Sequence, residues 1–142
     1  MSELRAISFG VVFYEPLVEN LLPSYRKNNK YCKSNTNYSS ALSQIGYDLD
    51  LVWAYICGIT NLRDLKDFMQ SRTGDHKDRY VLWNFDNIYG SGSGTVEFRG
   101  GRGLRGPVRT KRWISFVVAF VHLCISYVPV SGFLPIGTLT TY

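Results

Sequence analysis

Two short stretches of alternating polarity, joined by a glycine-rich link, constrain this chain more than any other feature. On a strand, side chains alternate between faces. In Thr95-Val96-Glu97-Phe98-Arg99, Thr95, Glu97 and Arg99 therefore share one face, and Val96 and Phe98 the other. Upstream, the run from Arg79 to Ile88 is the best strand candidate, with Val81, Trp83 and Phe85 on one face and Tyr80, Leu82, Asn84 and Asp86 on the other. The link Gly90-Ser91-Gly92-Ser93-Gly94 makes a hairpin of the two. A carboxylate and a guanidinium over an apolar back suit metal and phosphate work, oxygen for a hard cation and a fork of donors for an anion. The same pair also fits an inert surface salt bridge, because exposed ion pairs are common and contribute little.

Helical spacing surrounds this hairpin. Leu4, Ile7, Val11, Val18 and Leu21 predict a helix over 4–22, with Pro16 expected to kink it near Tyr14-Glu15 or divide it in two. Residues 23–46 are polar and Ser/Asn-rich, which predicts a long loop. A short helix over 48–58 would turn Leu49, Val52, Trp53 and Ile56 inward, and Asn61 would cap another carrying Leu62, Leu65, Phe68 and Met69. Residues 74–78 read as a turn, 100–109 as a flexible basic linker, and 129–142 as an irregular tail. Between the last two, Thr110 to Tyr127 predicts a long apolar helix. Its nearly uncharged part, 113–128, reads as a buried core helix; a membrane span is the alternative, although it falls short of the roughly 20 residues a bilayer needs. His122 within it is then a core or helix-edge residue.

The chain has 142 residues and is 45% hydrophobic, enough for one domain, 1–142, with its own core. Its formal net charge of +5 comes mainly from Arg99, Arg102, Arg105, Arg109, Lys111 and Arg112, a cluster that expects an anionic partner. Cys32, Cys57 and Cys124 are far apart and near neither His76 nor His122, which argues against a zinc site and a disulfide framework and fits a reducing, cytoplasmic setting. Cys32, in its polar segment, is a candidate reactive thiol. The Gly90–Gly94 loop lacks the lysine and Ser/Thr of a P-loop, so a hairpin turn is its default reading. Arg99-Gly100-Gly101-Arg102-Gly103 resembles an RGG-type RNA-binding unit, but a single copy in an ordered domain carries little weight.

A wider resemblance runs from Arg79 to Ile125. Arg79-Tyr80, Asn84-Phe85, Gly94-Thr95-Val96-Glu97-Phe98-Arg99, then Trp113 and Phe116 through Phe120, resemble the C-terminal part of the amidoligases, especially the fungal ones. Pro23, Arg26 and Tyr31-Cys32, after a helix carrying Tyr14-Glu15, are similar to a second segment of that family. The resemblance implies an α+β fold, a small antiparallel sheet (about 79–88 and 95–99) packed by helices, as part of a glutamine-synthetase-like catalytic domain. It implies ATP- and magnesium-dependent joining of a small-molecule carboxylate to an amine. Glu97 would be catalytic and a magnesium ligand; Arg99 would be catalytic and hold phosphate, with Asn84 and Arg79 beside the nucleotide. Arg26 and Tyr31 would line the substrate side. No nucleic acid or membrane partner is implied.

Nothing in the chain matches the family's N-terminal half, whose paired glutamates supply further metal contacts. The expectation is thus a truncated site, weak or inactive alone, which a partner or a second copy would complete. The alternatives from other classes are a non-enzymatic basic module on 99–112 that binds nucleic acid or acidic surfaces, and a membrane-anchored protein using 113–128.

Overall fold

The computed structural model describes residues 1–27, 29–72, 78–91, 93–101, 103 and 106–127. Its long first helix, α1 (Ser2–Leu21), carries the framework: α2 (Asn35–Tyr38), α4 (Leu49–Gly58) and α6 (Pro107–Tyr127) all pack on it. Residues 6–12, Glu15 and Val18 are buried along its inner side. Pro16 neither divides the helix nor ends it. An interior proline costs about 3 kcal/mol, and the burial on both sides of it offsets that loss. Pro16 itself faces out, beside the exposed Leu17.

The segment 23–46 is a correction to the sequence reading. It contains a 3-10 turn (Ser24–Arg26), α2 and α3 (Ser40–Ile45), and it buries Asn35, Thr36, Tyr38, Ser39 and Leu42. Its polar residues replace missing backbone partners. Ser34 caps α2 by accepting from the Asn37 N–H, and Ser39 caps α3 by accepting from the Leu42 N–H. Glu15, buried in α1, accepts from the backbone N–H of Asn35 (2.6 Å) and Thr36 (3.0 Å) and from the Ser34 hydroxyl (2.8 Å). A fully buried carboxylate is tolerated only with such a set of donors.

Further on, α4 and α5 (Leu62–Gln70) appear where the spacing places them, capped by Asp48 and Asn61. The sheet is shorter than expected. β1 (Trp83–Asn84) and β2 (Glu97–Phe98) pair antiparallel, Trp83 opposite Phe98 and Asn84 opposite Glu97, and the Arg99 N–H extends the ladder to the Leu82 carbonyl. Residues 86–88 form a 3-10 turn instead of strand. The face alternation also fails, because 81–85 are buried throughout. The second side of this segment is covered by 33–35: Lys33 bridges Val81 in parallel, and the Asn35 carboxamide takes both the N–H (2.9 Å) and the C=O (2.8 Å) of Trp83. The Trp83 ring stacks on Phe120 (4.5 Å) and meets Phe98 at a tilt (4.6 Å).

Two glycines permit close approach. A Cβ on Gly10 would lie 2.2 Å from the Cys124 Sγ, so α1 and α6 meet there. A Cβ on Gly100 would lie under 3 Å from Leu22, Phe98 and Leu82, so the start of the 100–109 segment is packed. Pro107–Arg109 belong to α6. This helix buries only Phe120 and Cys124 fully and leaves Ile114, Val118 and Ile125 exposed, so it covers the sheet from outside and is not a core helix. His122 is exposed on it. No described helix is long and apolar enough to cross a membrane. Residues 74–77 of the expected turn, and the tail 129–142, lie outside the described residues.

Asn35→Ala should destabilise the fold by about 3 kcal/mol in urea denaturation, since it leaves buried backbone groups of Trp83 unpaired. Asn37→Ala, an exposed neighbour, should stay within about 0.5 kcal/mol. Equal effects of the two would contradict the clamp.

Candidate functional site

Register places the polar face of the hairpin. Asn84 lies opposite Glu97, and a single oxygen of Glu97, Oε2, accepts from Asn84 Nδ2 (3.0 Å), Arg99 Nε (3.1 Å) and Arg99 Nη2 (2.8 Å). Glu97 and Arg99 thus project together, as the alternation predicts, while Phe98 turns inward against Trp83, Trp113 and Phe116.

Asn84 is set by a relay that begins in the core. The Phe85 N–H donates to Gln70 Oε1 (2.6 Å), which turns the Gln70 amide so that Nε2 donates to Asn84 Oδ1 (3.1 Å). The Asp86 N–H donates to the same oxygen (3.1 Å). Asn84 must then present its NH2 to Glu97, so each donor meets an acceptor in one polarity only. Partial burial would raise the Glu97 pKa, but the Asn84 hydrogen bond and the Arg99 guanidinium outweigh it and hold the carboxyl below its ordinary value. Gln70 carried no signal of this role in the sequence reading. Its position one residue after Met69 on an otherwise inward-turned stretch was the available hint.

Around this pair the structure gathers the other candidate residues. The Arg99 guanidinium lies 5.5 Å from the Tyr80 ring centre, and that of Arg79 lies 5.3 Å from it. Tyr31 packs edge-on to Tyr80 at 5.2 Å. Arg79 is exposed and reaches neither Asn84 nor Glu97 by a hydrogen bond. Arg26 and Arg99 share a cleft of about 440 Å3 whose far wall is α6. Residues of the 23–34 segment come here because Lys33 pairs with Val81 at the second edge of the sheet.

Cys32 is corrected as a candidate reactive thiol. It is buried, its Sγ donates to the Arg26 carbonyl (3.2 Å), and burial raises its pKa despite the nearby Arg26 and Arg99. The three cysteines are unpaired.

No protein-family model, no curated protein and no solved structure matches the chain. The chemistry is therefore argued from the groups present. Magnesium prefers a near-octahedral set of oxygens. Glu97 offers one carboxylate, and Arg99 already occupies its Oε2. Among the described residues no group of three or more His, Cys, Asp or Glu could hold a metal. These residues do not fit magnesium by themselves. They do fit an anion, because Arg26 and Arg99 line one cleft with no carboxylate among its described lining residues.

Because the folded Glu97 carboxyl titrates below its ordinary value of 4.5, its stabilising contribution is complete above that value and is lost as pH falls through the lower folded one. Wild type should therefore be more stable than Glu97→Gln at neutral pH, and the gap should close on acidification below 4.5. Thermal unfolding of both proteins across that range checks this. A gap that widens in acid contradicts it.

Proposed function

We propose that the chain carries the anion-holding, C-terminal part of an amidoligase-type site, which joins a carboxylate to an amine at the expense of ATP. The two-stranded sheet would be a piece of the larger sheet of a glutamine-synthetase-like domain. The observation that carries the reading is the convergence of Arg26 and Arg99 on one cleft beside Glu97. Arg99 would hold phosphate, and Glu97 and Asn84 would fix its orientation. Arg79, over the shared Tyr80 ring, would add a second charge toward the nucleotide. Arg26 and Tyr31 would face the acid being joined.

ATP and magnesium supply the activation of the carboxylate in such ligations. With one carboxylate at hand, this chain alone should bind the anionic reactant and turn it over weakly or not at all. A partner or second copy would have to contribute the missing acids.

Calorimetry with ATP tests the reading. Arg99→Ala should weaken ATP binding about tenfold, the loss expected for one charge-assisted hydrogen bond. Glu97→Gln should leave it unchanged or tighter, since a competing anion is removed. Unaltered binding in Arg99→Ala overturns the assignment. Amine-stimulated ATP hydrolysis that disappears in Glu97→Ala would overturn the inactivity.

A second reading has its own observation. Arg109, Lys111 and Arg112 are exposed along the first turns of α6 and make no ion pair among the described residues. A non-enzymatic basic module would bind RNA or acidic vesicles with steep salt dependence. That binding would survive Glu97→Ala and disappear when Arg102, Arg105 and Arg109 are neutralised; of these, Arg102 and Arg105 lie outside the described residues.

A further inference from the structure

The cleft between the hairpin and α6 has a second property, its division into a charged end and an apolar wall. Its volume of about 440 Å3 falls within the range of small-molecule sites. Among the described residues the charged side chains lining it are Arg26 and Arg99, with no carboxylate. The rest is Phe98, Trp113 and aliphatic side chains of α6.

The charges at the arginine end are not balanced. Arg99 has Glu97, through Nε and Nη2, and its Nη1 makes no hydrogen bond among the described residues. Arg26 has no acidic partner there, and its Nε is buried without a hydrogen bond. A buried donor left unmade is costly, and more so when charged. A ligand anion at the cleft face of Arg26 would offset its charge. The Cys32 thiol beside Arg26 cannot supply the anion, because burial keeps it protonated.

The apolar wall has the complementary defect. Ile114 and Val118 lie on this wall yet remain 58% and 62% exposed. An alkyl or aryl group lying along α6 would remove them from water. A guanidinium fork matches the two oxygens of a carboxylate.

From these features the geometry points to a carboxylic acid with an apolar tail as the cleft's ligand, its head on Arg26 and Arg99 and its tail along Trp113, Val117 and Val118. As the acid to be activated, this ligand rests on the ligase reading above. Its binding needs neither ATP nor magnesium, so a failure of ATP binding and a failure of this binding are separate results.

The neighbouring cleft, between Leu21 and Arg109, Arg112, Trp113 and Phe116, provides a control. Its arginines are solvent-exposed and hold no buried unpaired donor.

Calorimetry and tryptophan fluorescence with acetate, octanoate, octylamine and octyl phosphate on the whole chain test the proposal. Octanoate should bind at least tenfold more tightly than acetate, which requires burial of only about two of its extra methylenes. Arg26→Gln and Arg99→Gln should each weaken octanoate at least fivefold, and Arg112→Gln less than twofold. Val118→Asn, a neutral change at an exposed position, should weaken octanoate and leave acetate unchanged. Equal affinities for acetate and octanoate would remove the tail from the proposal. Octylamine binding as tightly as octanoate would reduce it to apolar adsorption. Octyl phosphate binding tenfold tighter than octanoate would overturn the carboxylate head. Arg26→Gln and Arg99→Gln that unfold like wild type in urea yet bind octanoate normally would end it.

Discussion

One carboxamide joins the two halves of this structure. Asn35 gives its oxygen to the Trp83 N–H and its NH2 to the carbonyls of Trp83 and Met69. A side chain thereby does the work of a missing strand on a buried segment that has only one strand partner. Everything polar at the surface of the hairpin depends on it. If residues 83 and 84 were not fixed against α5, Asn84 would have no defined side to present. Glu15 anchors the same corner from the other direction by binding the N–H groups that open α2, so α1, α2 and the sheet meet at a point rich in hydrogen bonds and closed to water.

From that corner the order of donors and acceptors runs outward without a break. Phe85, Gln70, Asn84, Glu97 and Arg99 form one sequence of hydrogen bonds, buried at the start and half-exposed at the end. Donation runs from Phe85 through Gln70 and Asn84 to Glu97, and Arg99 donates to the same Glu97 oxygen from the other side, so both directions converge on one carboxylate. The physical effect is that a surface arginine, ordinarily mobile, is held by two nitrogens on an oxygen whose own position is set in the core. This distinguishes the pair from the ordinary exposed ion pair that the sequence alone could equally describe.

What the sequence makes legible follows from what periodicity can report. α1, α4 and α5 bury one side and expose the other, and their apolar spacing shows it; α6, nearly uncharged over 113–128, hides its sidedness and reads as a core helix. Alternation over 95–99 places Glu97 and Arg99 together for the same reason. It fails over 81–85, where both sides are covered and Asn84 is buried as a hydrogen-bonding group. The largest error, over 23–46, has a chemical cause. Serine and asparagine compete with the backbone for hydrogen bonds, so the same residues that make loops also cap short helices. Ser34 and Ser39 each stand three residues before the N–H they accept from, a pattern readable only with hindsight because neither is followed by an apolar stripe. Glu15 was more visible: it lies four residues after Val11 and three before Val18, on the apolar side of its helix.

The contact of Gly10 with Cys124 fixes more than the spacing of two helices. Because hardly an atom's width separates them, the combined bulk of positions 10 and 124 is capped, and neither can grow unless the other shrinks. In any relative of this chain the two should change as a couple, alanine at one position accompanying glycine or alanine at the other. Growth at either one alone would lever α6 away from α1 and, with it, carry the wall bearing Trp113 and Val117 off the guanidiniums it faces.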